Sequence, residues 1–76
     1  MLIKTEPGQT PAVQQALRSV PGIRAADIVI GPHDIIAAIE AGDLNAVGKL
    51  VLTEIHGLSG VANTLTCPVV EAEGSS

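Results

Sequence analysis

The chain has 76 residues, which limits it to one domain, and 46% of them are hydrophobic, which is typical of a folded globular protein. It has no aromatic Phe, Tyr or Trp, and its net charge is −4 with four scattered Lys and Arg residues, so direct binding to nucleic acid is not expected. The single cysteine excludes an internal disulfide, and no Cys/His cluster has metal-ligand spacing, so we expect no cofactor. No apolar run reaches membrane-spanning length, so we expect a cytoplasmic protein.

The first half of the chain predicts a strand, a helix and a second strand, separated by Pro-Gly pairs. Residues 2–6 predict a short strand. Thr10 is typical of a helix N-cap and is followed by proline at the first helical position. Apolar residues then recur at helical spacing as far as Val20, and residues 23–30 predict the second strand.

The second half repeats this pattern after a turn. Residues 35–41 predict a third strand that forms a hairpin with the second. Asp43 is the expected N-cap of a second helix, in which Gly48 lowers helix propensity and would mark a close approach of a neighbouring backbone. A later glycine ends this helix, and residues 61–70 predict the last strand.

The order β-α-β-β-α-β predicts an α+β fold, the ferredoxin-like sandwich. In that fold a four-stranded antiparallel sheet carries both helices on one face, and the second and fourth strands lie at the edges. Pro68 in the predicted fourth strand agrees with an edge position. We assign residues 1–71 to this domain and residues 72–76, which end in Gly-Ser-Ser, to a flexible tail.

The face of the sheet without helices is also apolar. Ile36 and Ala38 alternate with Ile35 and Ala37, so both faces of the third strand carry apolar side chains. A face in contact with water would normally be polar. We therefore expect a two-fold dimer with sheet packed on sheet, a dimeric α/β barrel.

The most site-like residues are His33 and Asp34, which follow the Gly31-Pro32 turn. Asp34 could accept a hydrogen bond from a ligand ammonium and His33 could donate to a carboxylate, but two polar residues of an ordinary hairpin loop would look the same. Thr64 and Thr66 lie on one face of the last strand and could line a polar pocket, although threonine is also a common strand residue.

The remaining chemically active residues have simpler explanations. Cys67 has no adjacent base and is interpreted as a core residue, because free cysteine is among the most buried residue types. His56 lies near the end of the second helix, where its charge suits the helix dipole. We find no catalytic constellation and expect no enzymatic activity.

Taken in order, the segments GPHDIIAAIEA, EIHGLSGV and ANTLTCPVVE resemble the ligand-binding (RAM) domain of the Lrp/AsnC transcription regulators, over nearly the whole chain. The resemblance implies the same sandwich fold, sheet-to-sheet dimers, assembly into larger oligomers, and amino-acid effectors bound between dimers near the hairpin turn. By this resemblance the ligand contacts fall on Gly31, Pro32, His33, Asp34, Thr64 and Thr66.

Two departures from the family pattern affect the expected function. Regulators of the family carry an N-terminal helix-turn-helix domain, whereas these 76 residues start at the first strand of the ligand domain. We therefore expect a stand-alone effector-binding and oligomerisation module without its own DNA-binding domain, which could assemble with full-length regulators. The second departure is His33, which replaces a residue that is often tyrosine in the family.

Three alternatives remain open from the sequence. The chain could be an assembly module without a ligand. It could be a small dimeric α/β-barrel enzyme of the monooxygenase or muconolactone isomerase type, although it has no aromatic residue to stack on a ring substrate. An ACT-type regulatory domain has the same strand order and would differ in its interface.

Overall fold

A computed structural model describes residues 1–40 and 42–68, apart from the side chain of Leu44. The strands are β1 (Leu2–Thr5), β2 (Ile23–Ile28), β3 (Ile35–Ile39) and β4 (Val61–Leu65). The helices are α1 (Thr10–Leu17) and α2 (Leu44–Leu50), and α2 continues into a π-helix, Val51–Ile55. The antiparallel sheet has the order β2-β3-β1-β4, which confirms the predicted ferredoxin-like sandwich with β2 and β4 at the edges.

The two helix starts differ in how they are capped. Asp43 caps α2 as predicted, because its carboxylate accepts a hydrogen bond of 2.8 Å from the backbone N–H of Ala46. The predicted N-cap at Thr10 is wrong, since α1 begins at Thr10 and its N-cap is Gln9, whose side chain makes no capping bond. The Thr10 hydroxyl instead lies 2.6 Å from the hydroxyl of Thr5. No helix in the described ranges is long and apolar enough to cross a bilayer.

Cross-strand pairs define the two faces of the sheet. Ile3 pairs with Ile35 on the helix-covered face, where both are fully buried. Leu2 pairs with Ile36 on the opposite face, where Ile36 is 46% exposed. We call this second face the open face. Its described side chains are Leu2, Lys4, Ala25, Asp27, Ile36, Ala38, Asn63 and Leu65.

The core lies between the sheet and the helices. It is built from aliphatic side chains that the amphipathic pattern of each element directs inward. These are Ile3, Val13, Leu17, Ala26, Ile35, Ala37, Val51 and Ile55. The predicted helical stripes and the alternation in β3 are therefore confirmed at these positions.

The end of the last strand differs from the prediction. β4 stops at Leu65, so Pro68 lies beyond the strand rather than in it. The expectation that Cys67 is a core residue is wrong, because the chain has left the sheet at this point and Cys67 is exposed. The predicted strand residues 69–70 and the predicted tail 72–76 lie outside the described residues.

Gly48 also differs from the expectation. It is exposed in α2, and a Cβ atom built on it would meet no atom within 4 Å. Close backbone packing therefore does not explain this glycine.

Candidate functional site

The hairpin turn between β2 and β3 is fixed by Asp34. The backbone N–H of Thr5 donates to Asp34 Oδ2 at 2.8 Å, and the Thr5 hydroxyl donates to the same oxygen at 3.1 Å. Thr5 is buried, and its hydroxyl also lies 2.6 Å from that of Thr10. This chain of hydrogen bonds connects the turn, β1 and the start of α1. Asp34 thus has a clear structural role, whatever else it contacts.

These bonds also affect the charge state of Asp34. The hydrogen bond from the Thr5 backbone N–H favours the ionised carboxylate and lowers the pKa of Asp34 below its ordinary value of 3.8. Partial desolvation acts in the opposite direction, and the Thr5 hydroxyl and the nearby Lys4 add to the lowering of the pKa. Asp34 is therefore an anion at neutral pH at the mouth of β3.

A shallow hollow opens beside the turn. Gly31, Pro32 and His33 line it together with apolar side chains from the neighbouring strands, and His33 is half-buried. The apolar lining consists of Leu2, Val29, Ile30 and Ile36. Ile30 lies fully exposed at the tip of the hairpin. The hollow is therefore suited to a small ligand with an apolar part, or to an apolar side chain of another molecule.

The two candidate threonines lie elsewhere. The Thr64 hydroxyl is 3.0 Å from Nε2 of His56, which follows the π-helix, so this pair joins the helix layer to β4. Thr66 and Cys67 line a second hollow between the end of β3 and the segment after β4. Because the chain leaves the strand after Leu65, the two threonines do not share one pocket.

The six candidate ligand contacts therefore form separate groups within one chain. Three of them line the turn hollow, Asp34 is bonded to Thr5, Thr64 is bonded to His56, and Thr66 lines the second hollow. Leu2 and Ile36 line both hollows, which consequently adjoin each other across the open face.

Sequence reasoning missed one feature of this region. Residues 29–30 are predicted as part of the second strand, whereas β2 ends at Ile28, and the exposure of Ile28 and Ile30 at the hairpin is not predicted. The isoleucine directly before the Gly-Pro turn was the available signal.

In residues 1–40 and 42–68, no group of three or more His, Cys, Asp or Glu side chains could hold a metal ion.

Comparison with known proteins gives a consistent family assignment. The family model of the Lrp/AsnC ligand binding domain matches residues 1–74. An HTH-type transcriptional regulator of Pyrococcus furiosus, itself uncharacterised, is 32% identical over 54 residues, which are 71% of this chain and 36% of that protein. A homocitrate synthase of Sulfurisphaera tokodaii is 32% identical over 62 residues, which are 82% of this chain and 13% of the synthase. The chain thus spans about a third of the first relative and about an eighth of the second.

Solved structures show the same fold. A hypothetical protein from Pyrococcus horikoshii superposes with a TM-score of 0.82 at 22% identity, covering 99% of this chain and 92% of the other. The protein FFRP-DM1 superposes with a TM-score of 0.76 at 22% identity, covering 82% and 83% of the two chains.

Proposed function

The chain belongs to the Lrp/AsnC ligand binding domain family, and we propose that it works as a small-molecule effector-binding and self-association module, with amino acids as its effector class. The family is a regulatory one, and one relative is a transcriptional regulator. The observation that carries the proposal is the apolar open face, which adjoins the hollow at the His33 turn.

The open face is proposed as the surface that binds a second copy of the chain. Ile36 and Leu65 are 46% and 49% exposed on it, and Leu2 lies between them in the same cross-strand row. Burial of apolar area is the main favourable term in protein association. A second open face is apolar in the same places, so each copy would cover the exposed side chains of the other.

The effector site is proposed at the hairpin turn, where two or more copies meet. Because the candidate contacts form separate groups within one chain, the proposal requires Thr64 or Thr66 of another copy to complete the lining around His33. Both described hydrogen bonds of the Asp34 carboxylate use Oδ2, so we assign Oδ1 to the ammonium group of an amino acid.

A thermal-shift screen against the twenty amino acids, with oligomer size followed by light scattering, tests the effector proposal. A ligand at about a hundred times its Kd adds about 2.7 kcal/mol to the stability of the state it binds, which raises the Tm. We expect a shift with one amino acid or a few related ones. No shift with any of them, at an unchanged oligomer size, would favour the assembly module without a ligand.

The two histidines provide matched variants for locating the site. His33→Ala alters the lining of the turn hollow, and we expect it to abolish the ligand-induced shift. His56→Ala removes the contact to Thr64, 3.0 Å away, and we expect it to keep the shift. The reverse pattern would move the site to the threonines of β4. Asp34→Ala is less informative alone, because it also removes the bonds to Thr5.

We also propose that the chain assembles with full-length regulators of the family in the cell. It is motivated by the similarity to an HTH-type regulator. Affinity purification of the chain from its own cells should recover such a regulator, and repeated recovery of the chain alone would contradict this part of the proposal.

We do not propose catalysis, because the candidate nucleophile and bases lie apart. His33 lies at the turn, His56 follows the π-helix, and Cys67 lies beyond β4.

A further inference from the structure

Lys4 places a cation beside the hollow at the hairpin turn. It lies on β1 between the buried residues Ile3 and Thr5, so its exposed side chain starts on the open face. From there the side chain extends toward the turn, because its Nζ lies 3.5 Å from the carbonyl oxygen of Pro32, which lines the hollow. A lysine stem can lie along an apolar surface while its ammonium group stays at the margin. The ammonium group of Lys4 can therefore remain at the rim of the hollow when another copy covers the open face.

This ammonium group has only a weak partner within the chain. The distance of 3.5 Å to Pro32 is at the long limit for a hydrogen bond, and a neutral carbonyl is a weaker acceptor for an ammonium group than a carboxylate. Lys4 takes part in no ion pair within the described ranges. A carboxylate of a bound molecule would therefore be a better partner than the one that Lys4 has.

The other three basic side chains of the chain are placed elsewhere. Arg24 forms an ion pair with Glu40 at 2.9 Å. Arg18 lies 3.4 Å from a backbone carbonyl of β2, and Lys49 lies in the last turn of α2. Because the chain has four Lys and Arg residues in all, Lys4 is the one that reaches the turn.

An anion lies close to this cation. Asp34 is opposite Lys4 when the register of the pair Ile3 and Ile35 is continued by one residue. The two charges are near enough for Lys4 to contribute to the lowered pKa of Asp34, yet they form no direct ion pair. The turn thus offers an anion and a cation that are near each other without touching, next to an apolar hollow.

We infer that Lys4 binds the α-carboxylate of the effector, so that Lys4 and Asp34 together recognise both charged groups of a free α-amino acid. This inference rests on the proposed function, in which Oδ1 of Asp34 takes the ammonium group. The two charged groups of an amino acid are joined through a single carbon atom, so their partners must lie near each other but apart. The hollow then takes the side chain. Amines, carboxylic acids and amidated amino acids each lack one of the two charges and are expected to bind more weakly.

Amino-acid amides test this assignment, because they keep the ammonium group and the side chain but replace the carboxylate with a neutral amide. The probes are the twenty L-amino acids and their α-amides. Thermal shifts are measured at about pH 7, where an α-amino group with a pKa of roughly 8 is mostly protonated. Calorimetric titration of the pair with the largest shift gives the two Kd values. We expect the wild type to bind the acid roughly tenfold more tightly than the amide, as is typical of a hydrogen bond between charged groups.

Lys4→Met removes the ammonium group and keeps an unbranched apolar side chain. We expect this variant to bind the acid roughly tenfold more weakly than the wild type and to bind the amide equally well, so that the preference for the acid disappears. Lys4→Arg keeps a cation and should keep most of the preference. Lys49→Met makes the same change in α2 and should behave as the wild type does. Circular dichroism of each variant checks that the fold is retained.

Three results would overturn the inference while leaving the effector proposal standing. The wild type could bind the acid and the amide equally well, or Lys4→Met could keep the preference for the acid. Equal loss of both probes in Lys4→Met would show that Lys4 supports the turn rather than the carboxylate. Absence of a thermal shift in the wild type with every probe would instead overturn the effector proposal, and the inference with it.

Discussion

The side chain of Asp34 at the turn stabilises the fold through its own hydrogen bonds, without any ligand. Its carboxylate accepts two hydrogen bonds from Thr5, one from the backbone and one from the hydroxyl. The Thr5 hydroxyl in turn contacts Thr10. A polar residue at the mouth of an apolar strand is therefore explained by its bonds to β1. Binding of a ligand would be an additional role for the same group.

The lowered pKa of Asp34 predicts a dependence of stability on pH. A carboxyl whose pKa is lower in the folded than in the unfolded state stabilises the fold above the unfolded value, here 3.8, and this contribution is lost as the pH falls through the folded pKa. Asp34→Asn removes the titration. We therefore expect the stability difference between the wild type and this variant to shrink as the pH falls below 3.8.

Urea unfolding of the two proteins at a series of pH values measures this difference. The matched control is Glu54→Gln, which removes an exposed carboxyl of the π-helix, away from both the turn and the open face. A difference between wild type and Asp34→Asn that stays constant down to about pH 2.5 would contradict the role of ionised Asp34.

At the scale of elements, the order of strands and helices could be predicted, but their ends could not. Turn residues and apolar spacing were sufficient for all four strands and both helices. The ends were misplaced where apolar residues continue past an element, as Val29 and Ile30 do after β2. The π-helix was not predicted, because its turn, closed by the bond from His56 N–H to the Val51 carbonyl, differs from an α-turn by one residue.

Only the part of the candidate site that is local in sequence could be predicted. The Gly31-Pro32 turn and its polar residues are local in sequence, so their pattern is visible there. The bonds that hold Asp34 join residues 29 positions apart, and no local pattern reports them. Thr64 and Thr66 were expected on one face, but that required β4 to continue beyond Leu65, which it does not.

Two glycines provide a prediction about the elements. Gly60 precedes β4 with a φ of +95°, and a Cβ atom there would lie 2.9 Å from both Gln9 Cβ and Val13 Cγ2. Gly60→Ala should therefore destabilise the fold by about 1–3 kcal/mol, through backbone strain and overpacking against α1. Gly48→Ala, with open space around its Cβ, should instead stabilise α2 by up to about 1 kcal/mol.

Thermal or chemical unfolding of the two alanine variants measures both effects. The pair is well matched, since each variant adds one methyl group. Equal stability of the two variants would contradict the placement of Gly60 against α1.

At the scale of the whole molecule, the proposed dimer makes a prediction about the open face. Ile36→Arg places a charge in the middle of this face, and both copies of a dimer would carry it. We expect the dissociation constant of the dimer to rise roughly a hundredfold, because apolar contact is lost in each copy. Sedimentation at several concentrations measures the change.

Leu52→Arg is the control for that experiment. Leu52 is 70% exposed in the π-helix, on the helix side of the molecule. Its replacement makes the same kind of change outside the open face and should leave the dimer intact. If both variants weakened the dimer equally, the open face would not be the interface.

The two edge strands have a consequence for how the sheet can grow. An exposed edge invites another chain to add a strand. On the β2 edge, the Ala26 carbonyl already accepts a bond of 2.9 Å from the Gln14 side chain and one of 3.4 Å from Arg18. On the other edge, β4 has five residues and is followed by Pro68, which has no N–H to donate. Sideways extension into filaments is therefore disfavoured, so a concentrated solution of this chain should form closed assemblies rather than fibres.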